Sequence, residues 1–374
     1  MPDDKRYPQR ILMTADTVGG VWNYVLELAA GLQNYGIEVA LATMGAELNH
    51  SQCLELGRLS NVTLFESKYK LEWMSEPWEE VRQAGEWLLE LEQLVQPDLV
   101  HLNGYAHAVL KWQAPTLVVG HSCVLSWWEA VKQQTAPEEW HQYRQVVGRG
   151  LRQASLVVAP SQAMLIALQA LYGPFKDSLV IYNGRKLNFY QAEKLPQILS
   201  VGRLWDEAKN IAALERIGPE LDWPVYLAGE KIHPEGGQSP LSQVSLLGKL
   251  SETELAGWYG RSAIYVLPAF YEPFGLSILE AGLAGCALVL GDIPSLREIW
   301  NGAALFIPPG DDEALKEAIT RLIGRPSLRE KLAQQAHLRG REYTPERMTK
   351  NYLAAYESLA TREQLEPRIF QISL

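Results

Sequence analysis

The sequence predicts an α/β protein built from two doubly wound units, each a parallel sheet with helices on both faces. Three observations predict it. The chain has 374 residues, too long for one ordinary domain and a natural length for two. Short apolar runs alternate with stretches of helical periodicity throughout, the pattern of a covered parallel sheet. The alternation then restarts after Tyr182-Asn183-Gly184.

The first series opens with a strand at Arg10–Ala15, a glycine-containing loop at Asp16–Gly20 and a helix over about Val21–Asn34, which Gly36 ends. Further strands are predicted at Ile37–Thr43, Val62–Phe65, Leu99–Leu102, Thr116–Gly120 and Leu156–Ala159, with a helix at Glu79–Val95 stopping before Pro97. Strands of the second series are predicted at Gln197–Val201, Pro224–Ala228, Val244–Leu246, Ile264–Leu267, Ala287–Gly291 and Ala304–Ile307. The chain finishes in helices at Glu313–Leu322, Ser327–Glu342 and Pro345–Leu359. No short repeat, low-complexity tract or long linker interrupts them.

Composition narrows the function classes. Hydrophobic residues make up 47% and charged residues 21%, enough for a large core in a soluble protein. A net charge of −10 argues against nucleic-acid binding, which needs basic surface. Residues 1–190 carry 15 Lys/Arg against 20 Asp/Glu, which also weakens the case for docking on anionic lipid. Cys53, Cys123 and Cys286 cannot all pair and form no metal-type cluster, as expected of a reduced compartment. The N-terminus is polar, with no apolar signal core, and no run is long and apolar enough to span a bilayer. A cytoplasmic location is the resulting expectation.

The most informative stretch is Tyr265–Glu280, YVLPAFYEPFGLSILE. It reads as the end of a strand, a loop over Pro268–Gly275, then a helix over Leu276–Gly285. Glu272 therefore stands at a strand's C-terminal end and Glu280 about one turn into the helix. Ligands bind there in open α/β sheets, and helix starts attract anions. Two carboxylates beside a helix start suit a ligand carrying both sugar hydroxyls and phosphates. A surface Glu plus a helix-stabilising Glu would give the same pattern.

The run EPFGLSILEAGLAGCALVLGD resembles the E-x7-E region of the retaining GT-B-fold glycosyltransferases of family 4 (group 1), with Glu272 and Glu280 at the two Glu positions. The resemblance extends over most of the chain. It implies two Rossmann-like domains facing a central cleft: an N-terminal acceptor-side domain over 1–185, completed by a C-terminal helix of about 355–374, and a nucleotide-sugar-binding domain over 186–354. It also implies that Glu280 holds ribose hydroxyls, that Glu272 orients the donor sugar, and that backbone N–H groups of Phe274, Gly275 and Leu276 contact sugar and phosphate.

Other motifs fit the same frame. VGRLWDEAKN places Arg203 and Lys209 six apart on a loop after a strand. Two cations there can neutralise a departing diphosphate without metal, and the segment looks like the family's G-R-x-x-x-x-K-N motif. TADTVGGVWNY puts Gly19 and Gly20 on the first strand-to-helix turn. It is not the G-x-G-x-x-G fingerprint of nicotinamide binding, but is similar to the family's glycine-rich loop facing the diphosphate. Where glycogen and starch synthases carry Lys-x-Gly-Gly, this chain has Thr17-Val18-Gly19-Gly20, which argues against an ADP-glucose synthase.

His121, in GHSCVLSWWEA, follows a predicted strand where the family often has a His near the donor sugar's primary hydroxyl. Trp127 and Trp128 are candidate stacking platforms for the acceptor, and equally candidate core caps. Asn103, in HLNGYAHA, is a further acceptor-side candidate; His101 and His107 there lack metal-ligand partners. LLGKLSETEL resembles the segment beside the nucleotide base, with Lys249 and Leu250 as backbone contacts, while Ser251 and Glu254 read as a helix capping box. GDIPSLREIW departs from the family's Gly-Gly before Pro-Glu.

The expectation is a retaining hexosyltransferase that needs neither metal nor cofactor. It would use a nucleoside diphosphate sugar, UDP-sugar favoured, with the leaving diphosphate as base and a small molecule or glycan as acceptor. An epimerase or hydrolase on the same fold, or a non-catalytic sugar-nucleotide-binding subunit, are the other classes.

Overall fold

The structure, a computed structural model, describes residues 7–187, 193–233, 236 and 242–369, the side chains of 361–369 excepted. Residues 370–374 of the expected C-terminal helix lie outside them. The chain forms two compact units. Unit 1 comprises Met1–Ser126, Ala136–Gly184 and Pro345–Leu374; unit 2 comprises Trp127–Thr135 and Arg185–Thr344.

Unit 1 carries a seven-stranded sheet of β1 (Arg10–Asp16), β2 (Glu38–Met44), β3 (Val62–Glu66), β4 (Leu99–Leu102), β5 (Thr116–Val119), β6 (Leu156–Ala159) and β7 (Ser178–Val180). Its order is β3-β2-β1-β4-β5-β6-β7, with every pairing parallel. Strands β4, β5 and β6 are buried at every residue, which explains their unbroken apolar runs. The short edge strand β7 is absent from the sequence reading. Its three residues are partly or fully exposed and give no apolar run to detect.

The core of unit 1 packs Ile11, Met13, Val25, Leu28 and Leu41 against Tyr352, Leu353 and Tyr356 of the last helix, Pro345–Ile369. That helix belongs to unit 1 from Pro345, ten residues earlier than the expected 355. Gly31 admits it: a Cβ there would lie 2.0 Å from Thr349 Oγ1. Met348, Tyr352, Leu353, Tyr356 and Leu359 are each at most 3% exposed. Each such burial is worth roughly 1.5–3 kcal/mol, so the stretch is part of the core and not an appendage.

Unit 2 carries β8 (Leu195–Val201), β9 (Val225–Ala228), β10 (Ser245–Gly248), β11 (Ser262–Leu267), β12 (Ala287–Gly291) and β13 (Ala304–Ile307) in the order β10-β9-β8-β11-β12-β13, again all parallel. In each sheet the strand order reverses once, at β1/β4 in unit 1 and β8/β11 in unit 2. Loops leaving two such strands diverge and open a crevice at their C-terminal ends. The segments of Gly19 and Gly20, Asn103, Arg203 and Lys209, and Glu272 follow these four strands, while those of His121, Lys249 and Ser295 follow β5, β10 and β12.

Candidate functional site

In unit 2 the loop after β8 is organised by Asp206. Its Oδ1 accepts from Ala208 N (3.0 Å) and from Trp127 Nε1 (3.1 Å), and its Oδ2 accepts from Arg203 Nη2 (2.7 Å). Burial opposes its charge, but Arg203, Lys209 and the two hydrogen bonds outweigh that and hold the carboxyl below the ordinary range. The Arg203 guanidinium also lies over the Trp205 ring, 5.3 Å from its centroid.

Lys209 Nζ meets Glu272 Oε2 at 2.7 Å, with the two side chains only 11% and 14% exposed. This joins the loop after β8 to the loop after β11 across the strand-order reversal. Two further hydrogen bonds reinforce the join: Phe270 N donates to Ala208 O (2.8 Å), and the Asn210 side chain donates through Nδ2 to Pro268 O (3.1 Å). Ser295 Oγ, in the first turn of the helix Pro294–Trp300, donates to Glu272 O at 2.5 Å and fixes the carboxylate's backbone from a third segment. Ser295 lies in the segment that departs from the family pattern, and sequence reading passed it over.

Gly275 caps the helix Leu276–Leu283 at φ +90°, a left-handed value costly for any residue with a side chain. The preceding Phe274 side chain is 3% exposed and edge-on to Tyr343, so only its backbone can face a ligand. Tyr265 Oη donates to Ser277 Oγ (2.8 Å) and ties β11 to the helix's first turn. Leu276 begins the helix. Glu280, 6% exposed, accepts from Arg185 Nε at 2.9 Å, and Arg185 Nη2 reaches Glu252 Oε1 at 3.3 Å. Arg185 escaped the sequence reading because its partner is 95 positions away. Lys249 is exposed and Leu250 half-buried on the loop after β10, and the Ser251–Glu254 capping box is formed.

Trp127 and Trp128 belong to unit 2, not to the 1–185 domain in which the sequence reading placed them. The Trp127 indole N–H is committed to Asp206, and Lys132 Nζ pairs with Glu207 at 2.5 Å. These contacts draw Trp127–Thr135 to the loop of Arg203 and Lys209.

In unit 1, Gly19 and Gly20 precede the helix Val21–Gln33. Gly20 has φ −67°, and a Cβ there would meet no atom within 4 Å. Neither strain nor crowding within the unit requires glycine there. Thr17 Oγ1, at the position of the synthases' lysine, accepts from Ala46 N (2.9 Å) and ties the loop to the end of β2.

His121 is half-buried beside the Tyr24 ring, with centroids 4.6 Å apart. Burial pushes its pKa down to about 3, so the ring is neutral at physiological pH. Asn103 Nδ2 donates to Thr14 O (2.7 Å), which turns Oδ1 toward His121 Nε2 (2.8 Å). An amide oxygen only accepts, so Nε2 carries the ring proton and Nδ1 presents a lone pair. Asn103 thus acts on His121 from the loop after β4.

His101 is fully buried between the Tyr24 and Tyr356 hydroxyls, and His107 bonds Val81 O, both structural roles. Glu72, also unremarked in the sequence, is half-buried and accepts from Tyr105 N (3.0 Å) and Ala106 N (2.6 Å), with its pKa raised to about 7 by burial. Among the described residues no group of three His, Cys, Asp or Glu side chains could hold a metal ion. No described helix is long and apolar enough to cross a membrane.

Comparison with known proteins agrees with this layout. Residues 18–189 match the Glycosyltransferase Family 4 model, and residues 195–325 match the Glycosyl transferases group 1 model. O-antigen chain mannosyltransferase B of Escherichia coli is 30% identical over 31% of this chain and 30% of its own length. Glycogen synthase of Mycobacterium tuberculosis is 29% identical over half of each chain. The chain therefore spans half or less of these two relatives. Phosphatidyl-myo-inositol mannosyltransferase of Mycobacterium leprae is 22% identical over 92% of this chain and 95% of its own.

Among solved structures, sucrose-phosphate synthase from Thermosynechococcus elongatus superposes with a TM-score of 0.74 at 19% identity, covering 98% of this chain and all of that one. Anabaena HepE in complex with UDP and glucose gives 0.72 at 16%, covering 94% and 100%. With two reversing parallel sheets, both family models and these folds in agreement, the chain belongs to the group 1, family 4 glycosyltransferases of GT-B fold.

Proposed function

We propose that the protein transfers a hexose, with retention and without a metal ion, from a nucleoside diphosphate sugar to an acceptor hydroxyl. The observation that carries this is the convergence of Arg203, Lys209 and Glu272 at the β8/β11 reversal, beside the start of the helix Leu276–Leu283. Fixed cations there would stabilise charge developing on the leaving diphosphate, each worth roughly 2–4 kcal/mol by analogy with single oxyanion donors. The helix start adds N–H donors for phosphate. Glu272, held by Lys209 and by its own carbonyl's bond to Ser295, would orient the sugar through ring hydroxyls. Glu280 would accept from the ribose hydroxyls. His121, neutral and with Nδ1 presenting a lone pair, suits a sugar hydroxyl as hydrogen-bond donor.

In the step itself the anomeric C–O bond to phosphate breaks, and the acceptor oxygen bonds the same face of the anomeric carbon. The acceptor's proton passes to the leaving phosphate oxygen. UDP is favoured as the nucleotide because the structurally similar HepE was solved with UDP and with UDP-glucose. Acidic composition in the N-terminal half favours a small molecule or glycan as acceptor.

A thermal-shift screen against UDP, GDP, ADP and dTDP in EDTA tests the donor assignment. At ~100 times its Kd a ligand stabilises by roughly 2.7 kcal/mol, which is readily detected. One nucleotide should shift the melting temperature, and Arg203→Ala should abolish that shift; no shift with any of the four defeats the reading. A Glu272→Gln variant that loses turnover without a trapped glycosyl-enzyme fits an orienting carboxylate, whereas a trapped adduct means covalent catalysis. Full-rate product from donor and water alone would point to a hydrolase or epimerase. Donor binding without turnover on any acceptor would point to a binding subunit.

A further inference from the structure

Arg185 has no part in the site as read from the sequence, yet its side chain is nearly buried within it. That side chain is 9% exposed and pairs with the Glu280 side chain, itself 8% exposed, through Nε to Oε1 at 2.9 Å. Nη2 reaches Glu252 Oε1 at 3.3 Å, and Arg185 N donates to Tyr343 O at 3.3 Å. Glu280 comes from the helix Leu276–Leu283 and Glu252 from the helix Glu252–Arg261. One guanidinium therefore joins a buried carboxylate to a second acid on a neighbouring helix, while its backbone is pinned to a third segment.

A carboxylate on a two-carbon stem has several rotamers. The Arg185 fork removes that freedom. Its planar geometry commits Oε1, while the carboxylate keeps further lone pairs with which to accept from a hydroxyl donor.

Building on the nucleoside diphosphate sugar reading, we propose that Arg185 is the positioning residue that makes Glu280 a reader of the ribose, so that the protein selects ribonucleotide over 2′-deoxyribonucleotide donors. Arg185 touches no substrate in this account. It acts through the carboxylate, whose hydrogen bond to a ribose hydroxyl is strong only while the carboxylate is held in the right rotamer.

The test is calorimetric titration of the full-length protein with the nucleoside diphosphate that binds (UDP, GDP or ADP) and with its 2′-deoxy counterpart. Wild type, Arg185→Met and Arg185→Lys are compared. Wild type is expected to favour the ribonucleotide by about 10- to 100-fold in Kd, the range of one hydrogen bond to a charged group. In Arg185→Met that ratio should collapse toward one while affinity for the deoxynucleotide hardly changes.

Arg185→Lys, which keeps the charge but lacks the Nε–H, should fall between. It carries the test by itself should the Met variant not fold. A role confined to folding would weaken both nucleotides alike and preserve the ratio; that result overturns the inference, as does a wild type indifferent to the 2′-hydroxyl. Failure of the wild type to bind any nucleoside diphosphate would overturn the donor reading as well, so the two failures are distinguishable.

Discussion

Replacing Lys209 by Met strands the Glu272 carboxylate, and the consequences for folding and for turnover should separate. The ion pair is 2.7 Å long and both members are less than 15% exposed. At an effective dielectric constant near 20 its Coulomb energy is about 6 kcal/mol, much of it offset by the loss of hydration. Removing one member of a buried pair typically costs about 3–5 kcal/mol, and partial access to water puts this pair at about 3. Adding Glu272→Gln leaves a neutral amide where the stranded charge was. The double variant should therefore be about 2 kcal/mol more stable than Lys209→Met alone.

Hydrogen exchange over 262–283 in a denaturant series reads this locally, without assuming that both units unfold together. Turnover should behave oppositely. Lys209→Met should lower kcat about 100-fold through loss of a phosphate cation, and the double variant should recover none of it. Additive stability losses in the cycle, with no coupling between the two substitutions, would refute the pairing on which the site is built.

Three further outcomes follow from contacts already described. Asn103→Asp keeps an acceptor on His121 Nε2 but adds a negative charge, so the ring's pKa should rise from about 3 and activity should gain an acidic limb below roughly pH 6.5, visible in a pH–rate profile. Trp127→Phe removes the indole donor to Asp206 at 3.1 Å. A hydrogen bond to a charged group is worth about 1.5–3 kcal/mol, so nucleoside diphosphate affinity should fall about tenfold as Arg203 loses its fixed partner; unchanged affinity in calorimetry would refute this.

Glu72 has a folded pKa of about 7, above its ordinary 4.5, so its ionisation penalises the folded state. Its contribution is complete below about pH 4.5 and is lost as pH rises to about 7, a span of about 3 kcal/mol. Glu72→Gln should abolish that slope relative to wild type in urea melts run across the same range.

Much of the fold was legible because parallel strands are buried on both faces and read as apolar runs. Strands such as Leu99–Leu102 and Ala287–Gly291 coincide with their sequence-predicted limits. Arg203, Lys209, Glu272, Gly19 and Gly20 lie on segments that leave strands and Glu280 on the helix that follows one, so spacing located the elements they occupy. What spacing cannot carry is partnership. Arg185 finds Glu280 across 95 positions, and Ser295 finds the Glu272 carbonyl across 23.

Local pattern also misplaced Trp127, since a tryptophan pair after a strand says nothing about which unit it will join. The final helix was located, but its membership of unit 1 begins at Pro345, and its burial at Met348, where Gly31 and Thr349 meet early in it. Glu72 gave no signal at all; its partners are backbone N–H groups of residues more than thirty positions on.

The excursion of Trp127–Thr135 sets a rule for anyone recombining such enzymes. Unit 2 is not a contiguous cassette: the chain enters it twice, at 127 and at 185, and leaves it twice, after 135 and after 344. A chimera joined at residue 184 would inherit a foreign nine-residue strap, and its Trp127 and Lys132 would face a loop that need not supply Asp206 and Glu207. Transplanting the donor module intact means moving 127–135 together with 185–344, and leaving the helix from Pro345 with the half into whose core it packs.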